Sequence, residues 1–407
     1  MTRRTDASRV TALRNANCVG SVWSDGTVSE EAEGPQRSEP PLPPWTTERE
    51  VTRQAEELMA NLDPKQYVGS KHHVVPRFVL KRFANAKDQV LVRDRATGAK
   101  RISNTRALAV TDFYTFVDSA GELDASYEQM WGYIETAADA ILRDHLENPF
   151  VRPRPFNPVE KYAIDAFVAL QSVRGPAKRR AMELMTDYGM KLVNQDKLSA
   201  AEMDDLEFKP HQNHHLETLV HVLPQIEEHF ASRAAFLVTL DRPLLVISDE
   251  PVCLERPDGY APPTRKQMRD FPRDILVDGD LVPREDIIRV AGGGVGIANA
   301  EAIAMPVGPR HAIVYDRPGS LRPAPHQRLE GADAESFATE VSSIVIEQAV
   351  VWIAGHIAHP TLGNMRLKKQ PPPLLVFDGG TRLSQNVHNT DRRKPVRLDK
   401  TARPEPT

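Results

Sequence analysis

Proline sets the limits of what this chain can order. Five of the ten residues from Pro35 to Pro44 are proline, and Pro371, Pro372 and Pro373 stand in a row. Proline has no amide hydrogen and locks φ, so neither stretch supports regular helix or a central strand. The sequence therefore predicts a disordered, acidic and Pro-rich arm over 1–46, a single α+β domain over 47–366, and a disordered Pro-rich, basic tail over 367–407. Residues 381–407 hold seven Lys+Arg and three Asp+Glu, a net of +4, which leaves the tail a weak option for polyanions.

Composition adds exclusions. The 407 residues carry 52 Lys+Arg and 56 Asp+Glu, a net charge of −4. That balance gives no electrostatic footprint of a polybasic nucleic-acid binder. Cys18 and Cys253 are the only cysteines. Two distant thiols make no disulfide framework and no four-thiolate zinc site, and they fit a reducing cytoplasm. No segment reaches the ~18–20 apolar residues that span a bilayer. The expectation is a cytoplasmic protein with no membrane partner.

Periodicity then sorts the middle of the chain. Tyr127, Met130, Trp131, Ile134, Ala138, Ile141 and Leu142 recur at helical spacing, and Asn148-Pro149 stops the run. Asn157, Pro158 and Glu160 have the spacing of an N-cap, N1 proline and N3 partner, and Gly175-Pro176 ends that helix. Further helices are predicted over roughly 177–193, 214–232 (kinked or split by Pro224) and 334–357. Gln89–Val92 and Lys100–Ile102, joined by Ala96-Thr97-Gly98, read as a hairpin. Val74–Ala84 reads as an apolar, strand-like run. Ala235–Leu240, Leu244–Ile247, Ile303–Val307 and Ala312–Tyr315 are short apolar runs of strand length, and residues 255–290 look like a long excursion. The predicted class is α+β, mainly helical, with a small mixed or antiparallel sheet.

Chemistry-bearing residues fall in separate motifs. His72-His73 precede Val74-Val75-Pro76-Arg77; imidazole ligates transition metals and serves as a base near neutral pH. The phrase from His72 to Pro76 resembles the first element of HNH endonucleases. The next histidine, His145, lies on a predicted helix, and the usual Gly-Gly turn is missing. Ser248-Asp249 end an apolar strand, a common way to present a carboxylate. Glu128 and Glu135 lie two turns apart on one helix, and Gln171 and Arg174 close the next. A Glu135–Arg174 ion pair is the structural alternative to anion binding by Arg174. His211, His214, His215 and His221 read as a solvated face, and Gly292–Gly296 lacks the context of a phosphate loop.

Together these pieces resemble a bacterial family known as domain of unknown function 4238. His72 to Ala84 matches its opening pattern, with Val79 where Tyr is common. Asp112-Phe113-Tyr114, Tyr127-Glu128 through Ile134-Glu135, Gln171-Ser172-Val173-Arg174, Ser248 to Pro251 and Met305 to Pro309 follow in order, covering about 68–357. Glu250 stands where Asn is frequent, and Ser342 and Ser343 where an Asn is often found. The resemblance brings no known reaction. It implies a selection of residues: His73, Asp249, Glu135 and Arg174 as a catalytic group, Gln171, Arg77 and Ser248 on substrate, and His72, His73 and Asp249 as ligands of a divalent ion such as Mg²⁺, Mn²⁺ or Zn²⁺. If they converge, the expectation is a metal-dependent hydrolase or nuclease acting on phosphodiesters. The alternative is a non-catalytic module that binds a nucleotide, RNA or a protein.

Overall fold

The computed structural model describes residues 62–118, 120–147, 154–194, 206–257 and 296–365. It also describes short strands at 274–277, 280–283, 289–291, 374–377, 385–387 and 394–397, and the single positions 197, 199 and 367. The arm at 1–46, the stop at Asn148-Pro149, most of the 255–290 excursion, the glycines at 292–294 and the prolines at 371–373 lie outside the described residues.

In chain order, β1 (Lys71–His72) leads into α1 (Arg77–Phe83), then the hairpin β2 (Gln89–Asp94) and β3 (Lys100–Asn104). The short strands β4 (Val110–Thr111), β5 (Phe116–Val117) and β6 (Leu123–Asp124) precede α2 (Ser126–Glu147). Next come α3 (Pro158–Val173), α4 (Pro176–Val193), β7 (Leu206–Lys209) and α5 (Gln212–Ala231). Strands β8 (Ala235–Leu240), β9 (Val246–Ser248), β10 (Cys253–Leu254), β11 (Ile303–Gly308), β12 (His311–Tyr315) and β13 (Gln327–Leu329) follow. Helix α6 (Gly331–Gln348) and β14 (Trp352–Gly355) complete the set. The α+β class holds. Among the described residues, no helix is long and apolar enough to cross a membrane.

Two sheets carry the core. One has the order β10-β11-β12-β8-β13, antiparallel except for the parallel β13–β8 edge. The other, β3-β2-β14-β9, is antiparallel throughout. Strands β8, β11 and β12 are buried almost continuously, as their non-alternating apolar runs require. Helix α3 is buried at every position from Ile164 to Val173. A helix apolar on all sides belongs at the centre, and α3 packs between α2 and α5. Its start follows from sequence: Asn157 Oδ1 accepts from the Val159 and Glu160 amides (3.0 and 2.9 Å), and Glu160 Oε2 accepts from the Asn157 amide (2.9 Å). A second apolar cluster of Tyr114, Trp131, Leu170, Val173, Leu216 and Leu219 fills the space between α2, α3 and α5.

Two local expectations are corrected and one is narrowed. The run after the two histidines is helix α1, not strand: Pro76 precedes it, and Val79, Leu80 and Phe83 recur at i, i+1 and i+4 on its buried face. Pro224 sits inside α5 without splitting it. The last helix ends at Gln348, and Trp352 and Ile353 belong to β14, paired with Asp94 and Arg93 of β2. Apolar periodicity continues across that break because strand and helix share one core.

Candidate functional site

The pairing of β1 with β4 places the two histidines differently. His72 is 1% exposed. Its Nδ1 accepts from the Tyr114 amide (2.9 Å), and its Nε2 hydrogen donates to the Tyr67 carbonyl (3.2 Å). Both ring nitrogens are thus spent, the ring is neutral, and burial lowers its pKa. His73 turns the other way. Its Nε2 is buried, with no hydrogen-bond partner among the described residues. Burial holds its pKa down, opposed by the Thr105 backbone and aided by the charges of Arg77 and Arg174.

Arg174 is the hub. It caps α3 at 1% exposure, and its fork gathers three chain segments. Nε donates to the Val74 carbonyl (2.8 Å), Nη2 to the His73 carbonyl (3.3 Å), and Nη1 to Glu135 Oε1 (2.7 Å). The Gln171 side-chain amide lies beside the same guanidinium, and with its oxygen turned towards Arg174 it accepts from Nε and Nη2 at 3.1 and 3.3 Å. The Tyr114 ring lies under the guanidinium, 5.6 Å from centroid to Cζ. A guanidinium holds two backbone carbonyls and a carboxylate at once because its donors diverge in one plane. This arrangement locks the turn between β1 and α1 to the end of α3.

Three carboxylates surround this hub. Glu135, 23% exposed at its side chain, is the opening to solvent; burial raises its pKa while the Arg174 charge opposes. Glu128, two turns earlier on α2, has no such bond. Its Oε2 is buried and without a hydrogen-bond partner among the described residues. Burial pushes its carboxyl up to about 7, Arg174 pulling it down and Glu135 adding to the rise. The third is Glu250. Its Oε1 accepts from the Ala177 amide at the start of α4 (2.6 Å), and its carboxyl is pushed up to about 8 by burial and by neighbouring Asp249. A Cβ at residue 175 would overlap that carboxylate, so Gly175 is needed for the approach. The Tyr114 and Trp131 rings meet edge to face at 4.4 Å. The Tyr114 hydroxyl and the Trp131 Nε1 are buried and lack hydrogen-bond partners among the described residues.

The Ser248-Asp249 turn does a different job. Ser248 Oγ donates to the Glu250 carbonyl (2.9 Å) and accepts from its amide (3.2 Å). Asp249 Oδ1 and Oδ2 accept from the Val350 and Val351 amides (3.0 and 2.7 Å), tying β9 to the turn between α6 and β14. Burial still lifts Asp249 to about 6 against those amides. Arg77 pairs with Asp88 (3.0 Å) and borders an open groove of ≈ 500 Å³ between α1 and α2, with Lys81, Arg82 and Asp139.

Of the residues selected from sequence, the structure gathers His73, Gln171, Arg174 and Glu135, with His72 beside them. Ser248 and Asp249 meet this group through Glu250. A metal on His72 and Asp249 would have to displace the backbone bonds just described. The group of three acid or imidazole ligands lying within 4.8 Å of one another among the described residues is Asp144, His145 and Glu160, elsewhere in the fold. Sequence reasoning noted Tyr114, Glu128 and Glu250 in its motifs but did not select them as site residues. Each had a signal: Tyr114 closes a motif, Glu128 shares a helical face with Glu135, and Glu250 follows Asp249. In the histidine-rich helix, His211 Nδ1 accepts from the Asn213 amide (3.2 Å) and His214 and His221 are exposed. His215 is buried instead, which pushes its pKa down to about 4.

Fold and site define an α+β protein with a buried arginine–carboxylate hub at the meeting point of α2, α3, α4 and the β1–α1 turn. A family model described as "Protein of unknown function (DUF4238)" matches residues 71–359, so the chain belongs to that family. No curated protein and no solved structure matches it.

Proposed function

We propose that this protein is a hydrolase in which Glu128 transfers protons beside Arg174, acting on phosphodiesters with the help of a divalent cation. The observation that carries this reading is the Glu128 carboxyl, whose buried Oε2 has no hydrogen-bond partner among the described residues and which is pushed up to about 7. A group that gains and loses a proton near neutral pH suits general acid–base catalysis, which contributes ~10²–10⁴ in rate. Charge accounting supports the cation. Glu135 already matches Arg174, so a phosphodiester beside the pair would bring one uncompensated negative charge. Of the expected ligands, His73 offers a nitrogen that is not already spent.

The test uses bis(p-nitrophenyl) phosphate and end-labelled RNA and DNA, each with Mg²⁺, Mn²⁺ or Zn²⁺. Metal-dependent release that falls ~10²-fold or more in Glu128→Gln supports the proposal. Release that Glu128→Gln leaves intact, or no release with any metal, refutes it. A second reading, a non-catalytic module for a nucleotide, RNA or protein, is favoured by one observation. Asp249 spends its oxygens on backbone amides, and Arg174 divides its donors between two backbone carbonyls and Glu135. Saturable nucleotide or RNA binding without turnover would select it.

A further inference from the structure

Away from the hub, α2 and α3 meet the five-stranded sheet through two histidines. The Leu237 amide of β8 donates to His326 Nδ1 (3.1 Å). Neutral His326 therefore carries its proton on Nε2, 2.8 Å from His145 Nδ1. His145 in turn carries its proton on Nε2, 3.4 Å from Glu160 Oε2. Both oxygens of Glu160 receive Arg154 at 2.6 Å. Phe156 packs edge-on against both rings, at 5.0 and 4.9 Å. Three of the four ring nitrogens have an assigned role, and the donors run from strand β8 through His326 to His145, whose Nε2 is buried without a hydrogen-bond partner among the described residues.

The same geometry rules against reading Asp144, His145 and Glu160 as a metal site. A cation on His145 Nε2 would move the ring proton to Nδ1, where the His326 Nε2 hydrogen already points. Arg154 also occupies Glu160 and lies 3.7 Å from Asp144.

We propose that His145 and His326 form an acid-operated latch between the helical layer and the parallel edge of the five-stranded sheet. An added proton on His326 must go to Nδ1 and expel the Leu237 amide. That event breaks the link between sheet and helices. The charged groups facing the pair are Asp144 of α2, Arg154 of the α2–α3 connection and Glu160 of α3; β8 presents a backbone amide. Arg154 is bound to both oxygens of Glu160 and offsets that carboxylate's pull on the rings. Burial, the His145 ring and Arg154 hold His326 down to about 4, with Glu160 opposing. The latch is closed at neutral pH and opens as pH falls from about 6 towards 4. Strand β13 begins at the next residue, so its pairing with β8 is what loosens.

Hydrogen exchange on the full chain, normalised to intrinsic rates, tests this at pH 7 and 4.5. Peptides covering 321–330 should lose protection by roughly ten-fold or more at pH 4.5. In His326→Asn, whose side-chain oxygen can accept from Leu237 without titrating, protection should not change with pH. An equal loss in both proteins, or none in the wild type, overturns the latch. Should the variant fold poorly, the His326 ring signal in the wild type decides by NMR. A neutral ring persisting below pH 5 supports the proposal, and titration near 6.5 overturns it.

Discussion

The raised Glu128 carboxyl makes a prediction about stability that needs no substrate. In the unfolded chain this glutamate loses its proton near 4.5, and in the fold near 7. Between those values the folded protein holds a proton that the unfolded chain has released. Stability contributed by Glu128 is therefore fully present below about pH 4.5 and is lost as pH rises through 7. Moving the midpoint from 4.5 to about 7, at 1.36 kcal/mol for each tenfold change in proton affinity, comes to ~3 kcal/mol. Glutamine keeps the shape and never ionises, so Glu128→Gln should be more stable than wild type by ~3 kcal/mol at pH 8. The two should converge near pH 4.5. Asp249 and Glu250 are raised as well, so the wild-type curve also falls with pH for other reasons. The difference between the two proteins isolates Glu128. Urea unfolding followed by far-UV circular dichroism at half-unit steps from pH 4.5 to 8.5 gives that difference directly. Parallel curves, separated by a constant amount, would show that Glu128 is solvated or paired and would remove the basis for its proton-transfer role.

Other perturbations follow from the same contacts. Arg174→Met should cost about 3–5 kcal/mol in urea unfolding, because it leaves the half-buried Glu135 carboxylate and two backbone carbonyls without their donor; Arg174→Lys should recover only part, as one ammonium cannot reach all three. Gly175→Ala should lower stability by about 1–3 kcal/mol in the same assay, since the new methyl meets the Glu250 carboxylate, and Glu250→Ala should relieve the clash when combined with it. Asp249→Asn should cost about 1–3 kcal/mol, because an amide offers one acceptor where the Val350 and Val351 amides need two. If turnover is found, its rate should rise with pH through about 7 when Glu128 acts as base, and that limb should vanish in Glu128→Gln.

The helices with strong end signals were legible because capping is local chemistry. Asn157, Pro158 and Glu160 announce α3 and make the bonds their spacing implies. The turn at Ala96-Thr97-Gly98 was legible for the same reason: Gly98 takes a φ of +69°, which suits glycine. Boundaries without such signals were not. Apolar periodicity continues from α6 into β14, so Trp352 and Ile353 read as helix although they pair with β2. The Glu135–Arg174 ion pair was foreseeable as a pair, since a charged group beside a core stripe must find a partner. What could not be read was the direction of each remaining polar atom. Residue type alone marks His72, His73, Ser248 and Asp249 as equals. Yet three of these spend their polar side-chain atoms on backbone groups, while the His73 Nε2 does not. The distinction between a residue that holds a turn and one left able to act lies in long-range pairing: β1 with β4, and β9 with the strand 105 residues further on. Glu128 shows the converse. It shares a helical face with Glu135 in the sequence, and in the fold burial raises its carboxyl towards neutral pH while its Oε2 finds no hydrogen bond among the described residues. The hub's chemistry therefore rests on the polar groups that the folding motifs leave unsatisfied, and a sequence motif records mainly those that they satisfy.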